Sequence, residues 1–318
     1  MQAPALIVVT PVFEDAQAAA RLCADLAGVC VPPPYIVAVD DGSVRQPLSP
    51  RMIAGAGLAG RVLRLKRNVG HQRAIAIGLD HVARHWPQAP RVVVMDCDGE
   101  DRPATVPELL AELEEAQVDV VVARRRGRVE SLHFRLFYWL YKGLFRLLTG
   151  RQLAFGNFMA LKPAALARLT AMGELATHVA GSVLISRLRW RARPLDRGSR
   201  YAGNSHMNFV GLVLHGFRGL MIFAEDVLVR VGTACALVAA LAVAGGSTAV
   251  VLKSIGYATP GWFSVALGIL FLVFLQTGAI TLMTLMLTGV VRAGSVQPQD
   301  HAALVDAVLA TGDDATAA

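Results

Sequence analysis

Charge is scarce in this sequence. Asp, Glu, Lys and Arg make up 17% of 318 residues, and acids are the rarer sign, 24 against 31 basic residues. Aromatic residues are few, at 7%, and no aromatic-basic ribonucleoprotein pattern or zinc-finger spacing occurs, so nothing supports nucleic-acid binding. The four cysteines, Cys23, Cys30, Cys97 and Cys235, lack the spacing of a metal site or a disulfide framework, which suits a reducing cytosol. The start, MQAPALIVVTP, has no basic lead and too short an apolar run for a signal peptide. The catalytic part is therefore expected to stay on the side where it is made.

What abounds is apolar. The hydrophobic fraction is 54% and the mean hydropathy +0.47, with the excess towards the C-terminus. The net charge of +7, carried mostly by Arg, fits anionic lipid and phosphate better than nucleic acid. The length allows one large domain or two small ones.

The first two-thirds alternates short apolar runs with helical patterns. Ala5 to Val9, Tyr35 to Val39, Gly60 to Lys66, Val92 to Met95 and Val118 to Ala123 read as strands. Helices are expected over 16–26, 72–85 and 105–116, and the small residues Ala74, Ala76 and Gly78 would let the second pack closely. Such alternation predicts an α/β fold with a largely parallel, doubly wound sheet covered on both faces. In such sheets ligands bind beyond the carboxyl ends of the strands. Asp15, Asp40, Asp41, Asn68, Asp96 and Asp98 all fall there. Two aspartates on one turn, Asp96 and Asp98, can share a divalent cation such as Mg2+ or Mn2+ and bridge it to phosphate, and Glu100 is within reach of the same ion. An Asp-x-Asp pair by itself also occurs as a solvated turn, and Asp40-Asp41-Gly42-Ser43 alone reads as an ordinary turn.

Taken together and in order, TPVFED, VDDGS, RNVGHQRAIAIGLDHV and MDCDGEDRP resemble the family-two glycosyltransferases, and within them the polyprenyl-phosphate type that includes dolichyl-phosphate mannose synthase and bacterial undecaprenyl-phosphate sugar transferases. The resemblance covers roughly residues 5–225. It implies a Rossmann-like nucleotide-diphospho-sugar transferase (GT-A type) domain with interfacial helices and two C-terminal transmembrane helices. It implies that Pro11, Phe13 and Asp15 line the nucleobase pocket, with Phe13 where relatives usually have Tyr. Asp40 or Asp41 would accept from base or ribose, and Asn68 would help hold the nucleoside. Asp96 would sit near ribose and metal, and Asp98 would ligate Mg2+ or Mn2+ as the catalytic acid. Glu100 stands where relatives often have Gln. Arg200 and His206 would cover the donor diphosphate, His206 replacing the family's usual Lys. A helix N-cap at Asn204 or Ser205 is compatible with that role. At Phe155–Met159 relatives usually carry acids, here replaced by Ala154 and Asn157.

The run ARRRGRVES and the segment LHFRLFYWLYKGLFRLLTG that follows it read as an arginine-rich entry to a helix lying at a bilayer surface. A solvated charge run and a buried amphipathic helix are the plainer alternatives. Arg124, Arg126 and Arg135 are candidates for an acceptor phosphate, whose geometry guanidinium matches. Val231 to Leu252 and Trp262 to Leu287 each exceed the roughly 20 residues needed to span a bilayer. Arg218 and Arg230 before, Arg292 after and only Lys253 between them place both termini in the cytosol. The expected division is a transferase domain over 1–204 with an interfacial helix at about 131–149, a juxtamembrane helix over 205–228, a two-span hairpin over 229–292, and a tail over 293–318. The tail is expected to be disordered apart from a short helix at 301–309.

These readings converge on an inverting transferase that moves a sugar from a nucleotide-diphosphate sugar to polyprenyl phosphate at the cytosolic membrane face, with a homo-oligomer allowed. A phosphate acceptor is already anionic and needs no general base, which suits the missing acids at 154 and 157. A processive polysaccharide synthase is a second reading, although Arg189-Trp190 is preceded by Ser186 rather than Gln. A catalytically silent nucleotide-sugar-binding scaffold is a third.

Overall fold

The computed structural model describes residues 3–114, 117–125, 132–151, 155–201, 216, 219–257, 261–295 and 301–312. These divide into two units. One holds 1–130, 153–222 and 297–318, and the other holds 131–152 and 223–296.

The first unit is built on an eight-stranded sheet. Its strands are β1 (Ile7–Val12), β2 (Tyr35–Asp40), β3 (Gly60–Leu65), β4 (Val92–Val94), β5 (Val120–Arg125), β6 (Met159–Leu161), β7 (Trp190–Leu195) and β8 (Val305–Ala310). Their order is β7-β5-β6-β4-β1-β2-β3-β8. The pairs β1–β2, β1–β4, β2–β3 and β5–β7 are parallel, as the alternating pattern predicts. The short β6 runs antiparallel between β4 and β5, and β8 runs antiparallel to β3. β1 is buried along its whole length, because a central parallel strand is covered on both faces. Ile7 and Val9 join one core cluster and Leu6, Val8 and Val12 the other.

Helices α1 (Ala16–Val29), α2 (Pro50–Gly55) and α4 (Val106–Leu113) contribute to the second of those clusters. Helices α3 (His71–His85), α6 (Pro163–Thr170) and α7 (Val179–Ile185) contribute to the first. Helix α3 lies close on the sheet at Gly78, where a Cβ would stand 2.5 Å from Val9 and 2.9 Å from Val39. The small residues foreseen there serve that approach.

The tail departs from its expectation. Residues 302–304 form a 3-10 turn and 305–310 a strand, not a helix or a disordered segment. The physical reason is the open edge of β3, whose unpaired N–H and C=O groups accept a further strand.

The second unit holds α5 (Leu132–Thr149), α8 (Ala224–Ser254) and α9 (Trp262–Ser295). Phe145 of α5 is buried and meets Phe223 edge-on, with ring centres 5.6 Å apart. Arg230 caps the end of α5 by donating to the Leu147 carbonyl at 2.9 Å. Helices α8 and α9 contain stretches of mean hydropathy 2.2 and are long and apolar enough to cross a membrane. In α8, Ala242, Gly246 and Ala249 are buried, and a Cβ on Gly245 would reach Leu270 of α9 at 3.4 Å. Many of their apolar side chains are exposed, among them Leu237 at 62% and Phe271 at 60%, which suits a lipid surround. Most of the juxtamembrane helix foreseen over 205–228 lies outside the described residues.

Candidate functional site

The carboxyl ends of β1, β2, β3 and β4 bring their loops together, and buried carboxylates tie those loops to one another. Asp40 is fully buried. Its Oδ1 accepts from Ser43 N at 2.9 Å and its Oδ2 from Leu48 N at 3.0 Å. Asp41, 3% exposed, accepts from Val69 N at 2.7 Å and Gly70 N at 3.0 Å. Burial raises the Asp41 pKa against the lowering effect of those two N–H groups. The two aspartates nominated for the nucleoside thus face the chain's own backbone and shape the loops that follow β2 and β3.

Glu14 plays a similar part that the sequence reading did not assign to it. Its carboxylate accepts from Val44 N at 2.9 Å, Arg45 N at 3.1 Å and Gln46 N at 2.9 Å. These bonds, the one from Val44 foremost, hold its pKa below the ordinary carboxylate value. The clamp accompanies a left-handed backbone, φ +52° at Glu14. Beside it Phe13 is 50% exposed at the end of β1, where an aromatic face is open to a ligand. Pro11 is buried within β1 and Asn68 is exposed.

At the end of β4 the acids gather. Asp96 N donates to Asp101 Oδ2 at 3.0 Å, and Glu100 N donates to Asp98 Oδ1 at 2.9 Å, which closes the turn. Asp98 Oδ2 lies 2.8 Å from Arg200 Nη2. Glu100 pairs with Arg197 and, at 3.2 Å, with Arg200. The loop carrying these arginines is stitched to the turn by Gly198 N to Glu100 O and Tyr201 N to Asp98 O, each 2.9 Å. Burial lowers the Arg197 pKa against the pull of Asp98. Asp15 belongs to the same acidic field. After burial, Asp15, Asp96 and Asp98 together push the Cys97 thiol up.

His71, the first residue of α3, reaches the turn from the other side, with Nε2 3.1 Å from Asp96 Oδ1. Desolvation draws its pKa down, but Asp96, with Asp101 and Asp98 behind it, prevails and holds it above the usual imidazole value. Asn157 Nδ2 stands 3.1 Å from the same Nε2, so Asn157 touches the histidine that pairs with Asp96.

Of the nominated residues, Asp96, Asp98, Glu100 and Arg200 meet in one place. His71, Arg197 and Asn157 join them, although only Asn157 had drawn comment. The available signals were their places inside RNVGH and RGSRY. Arg124 is exposed on β5. Arg126 and His206 lie outside the described residues, and Arg135 is placed only by its backbone on α5. Among the described residues no group of three or more His, Cys, Asp or Glu side chains is arranged to hold a metal ion. The donor set at Asp96 and Asp98 still fits a hard divalent cation, since both supply carboxylate oxygens. Here Asp98 is balanced by Arg200 and Asp96 by His71.

A parallel-centred α/β sheet with paired acids at a strand end is the frame of a nucleotide-dependent transferase. The family model "Glycosyl transferase family 2" matches residues 7–174, more than half of the chain, and the chain belongs to that family. It is 29% identical over 159 residues to a dodecaprenyl-phosphate galacturonate synthase of Rhizobium johnstonii, covering 48% of this chain and 46% of that protein. The match thus spans about half the length of that relative. It is 26% identical over 249 residues to the uncharacterized glycosyltransferase YkoT of Bacillus subtilis, covering 76% of this chain and 71% of that one. Among solved structures, glucosyl-3-phosphoglycerate synthase from Mycobacterium tuberculosis, in complex with Mn2+, uridine-diphosphate-glucose and phosphoglyceric acid, superposes with a TM-score of 0.52 at 15% identity. That superposition covers 70% of this chain and 79% of that one. The likeness establishes the GT-A fold.

Proposed function

We propose that this chain moves a sugar, with inversion, from a nucleotide-diphosphate sugar to a polyprenyl phosphate at the cytosolic face of a membrane. The carrying observation is the turn after β4, where Asp96 and Asp98 meet His71 and Arg200 in a chain with two helices of bilayer-spanning length. The family membership supports the donor class, and the Rhizobium relative, by its name, supports the acceptor class.

In this reading Phe13 stacks on the base, with Pro11 and Asp15 beside it, and Asn68 holds the nucleoside. Arg197, Arg200 and His206 direct positive charge at the diphosphate. Arg124, Arg126 and Arg135 receive the acceptor phosphate. A phosphate oxygen attacks the anomeric carbon as the bond to the nucleotide diphosphate breaks. No proton has to be removed, so Asn157 in place of an acid costs nothing. Asp96 and Asp98 would hold Mg2+ or Mn2+, which would supply positive charge to offset that of the departing nucleotide diphosphate. Glu100 is committed to two arginines, which leaves it the weaker of the three nominated metal ligands. Arg230 in the first turns of α8 and Arg292 within the last turns of α9, against Lys253 in the last turn of α8, favour cytosolic termini.

The synthase reading fares worse. Arg189, half of the signature remnant, is spent in a two-pronged pair with Asp119 at 2.7 and 2.9 Å. The deciding experiment incubates membranes holding the chain with labelled nucleotide sugars and undecaprenyl phosphate, with and without EDTA. One sugar per lipid, lost with EDTA, is the expected result. Long polymer supports a synthase, and donor binding without transfer under any metal condition supports a silent scaffold.

A further inference from the structure

Strand β8 is joined to β3 along its length and past both ends. In the ladder Leu309 faces Val62 and Val308 faces Leu63. Beyond one end, Thr311 N donates to Gly60 O and Gly60 N to Thr311 Oγ1, each at 3.0 Å. Beyond the other, Lys66 N donates to Leu304 O at 3.0 Å and Lys66 Nζ to Ala303 O at 2.9 Å. Its side chains divide between the faces of the sheet. Leu304 and Val305 pack on one core cluster and Leu309 on the other.

Lys66 is the last residue before the loop that delivers Asn68 and, at the head of α3, His71 beside Asp96. From the opposite side the same loop is held by Asp41 through Val69 N and Gly70 N. The loop is therefore pinned twice, once by the strand before it in the sheet and once by a segment that follows both long helices.

We propose that β8 is a positioning element of the donor site: by closing the edge of β3 and anchoring Lys66, it sets where Asn68 and His71 stand relative to the Asp96 turn. This rests on the reading of that site as the place of a nucleotide sugar. Without β8, β3 becomes an edge strand with a row of unpaired N–H and C=O groups. Lys66 loses both of its anchors, and local opening spreads into the loop.

The test uses the detergent-solubilised protein in four forms: full-length, Lys66→Met, Leu309→Asp, and a chain ended at residue 300 to which a peptide of residues 301–312 is added back. Amide hydrogen exchange is followed over 60–71, together with affinity for UDP and GDP in the presence of Mn2+. Loss of the strand is expected to speed exchange in β3 and in 68–71. It should weaken nucleoside-diphosphate binding about tenfold, the usual scale of coupling between linked elements, and the peptide should restore both. The KM for donor should rise while kcat at saturating donor changes little.

Faster exchange in β3 with unchanged exchange in 68–71 and unchanged affinity overturns the proposal and leaves β8 a mere edge cover. Should the shortened chain fail to fold, Lys66→Met decides, because it removes one contact at the loop and spares the ladder. A severalfold loss of affinity is expected there, and none overturns the proposal. If the full-length protein binds no nucleoside diphosphate, the donor reading falls by itself, and exchange at 68–71 still judges the strand.

Discussion

The Asp98 carboxylate and the Arg200 guanidinium lie 2.8 Å apart, so the acid proposed for a metal already has a counter-charge from the loop after β7. A cation and an arginine compete for one oxygen pair. Arg200→Met is therefore expected to bind Mn2+ severalfold more tightly while transferring more slowly. Asp98→Asn should lose metal-dependent donor binding and about 100-fold or more in rate, the scale of removing one charge-stabilising group. Mn2+ titration of both variants checks this. Equal losses of Mn2+ affinity in the two would show that Arg200 is no competitor.

Asn157→Asp puts a carboxylate where the resemblance to the family implies an acid. The new carboxylate would sit beside His71 and find its counter-charge there. With an acceptor that is already anionic there is no proton for it to remove, so the transfer rate should stay within about threefold. A tenfold gain, measured as single turnover on undecaprenyl phosphate, would show that removing a proton from the acceptor limits the step after all.

Gly42 has φ +73°, and a Cβ there would stand 2.6 Å from the backbone of Arg67 and Asn68. Gly42→Ala must move one loop or the other. The expected loss is about 1–3 kcal/mol, the range for a strained left-handed residue, with faster amide exchange at Val69 and Gly70. Thermal unfolding alongside the wild type measures it.

His81 is buried, stacked on His85 with ring centres 3.9 Å apart and with Arg61 at 3.4 Å. Burial first, then His85, Arg61 and Arg84, lower its pKa from 6.5 to about 4. The unfolded chain takes a proton below pH 6.5 that the folded chain refuses until about pH 4. Stability should therefore fall as pH drops through that window, by about 3 kcal/mol at most. His81→Gln should flatten this part of the curve. An unchanged slope would assign the effect to other groups.

The sequence announces what depends on local pattern. The apolar runs of β1 to β5 carry the parallel sheet, and the acids or amides that follow β1 to β4 carry the location of the site. It conceals what depends on pairing at long range. β6 has three residues, too few for any period. β8, VDAVLA, is short, with Asp306 as its one polar residue, and takes its meaning from β3, far back in the chain. Nor does a string of acids declare which way each one turns. Asp40 and Asp41 look like their neighbours in sequence, yet backbone N–H groups claim them, while Asp96 and Asp98 meet basic side chains. Glu14 escaped notice because its partners are main-chain atoms, which carry no sequence signature.

The return of the tail to β3 also limits how the two long helices can thread a bilayer. A polypeptide that leaves one folded body and later supplies a strand to that body must finish in the compartment from which it departed. For such a chain we expect α8 and α9 to cross together or not at all. The arginines near the outer ends of the pair, against Lys253 in the last turn of α8, favour the same expectation by charge. Tyr257→Cys and Asp306→Cys should therefore label from opposite sides of a sealed vesicle.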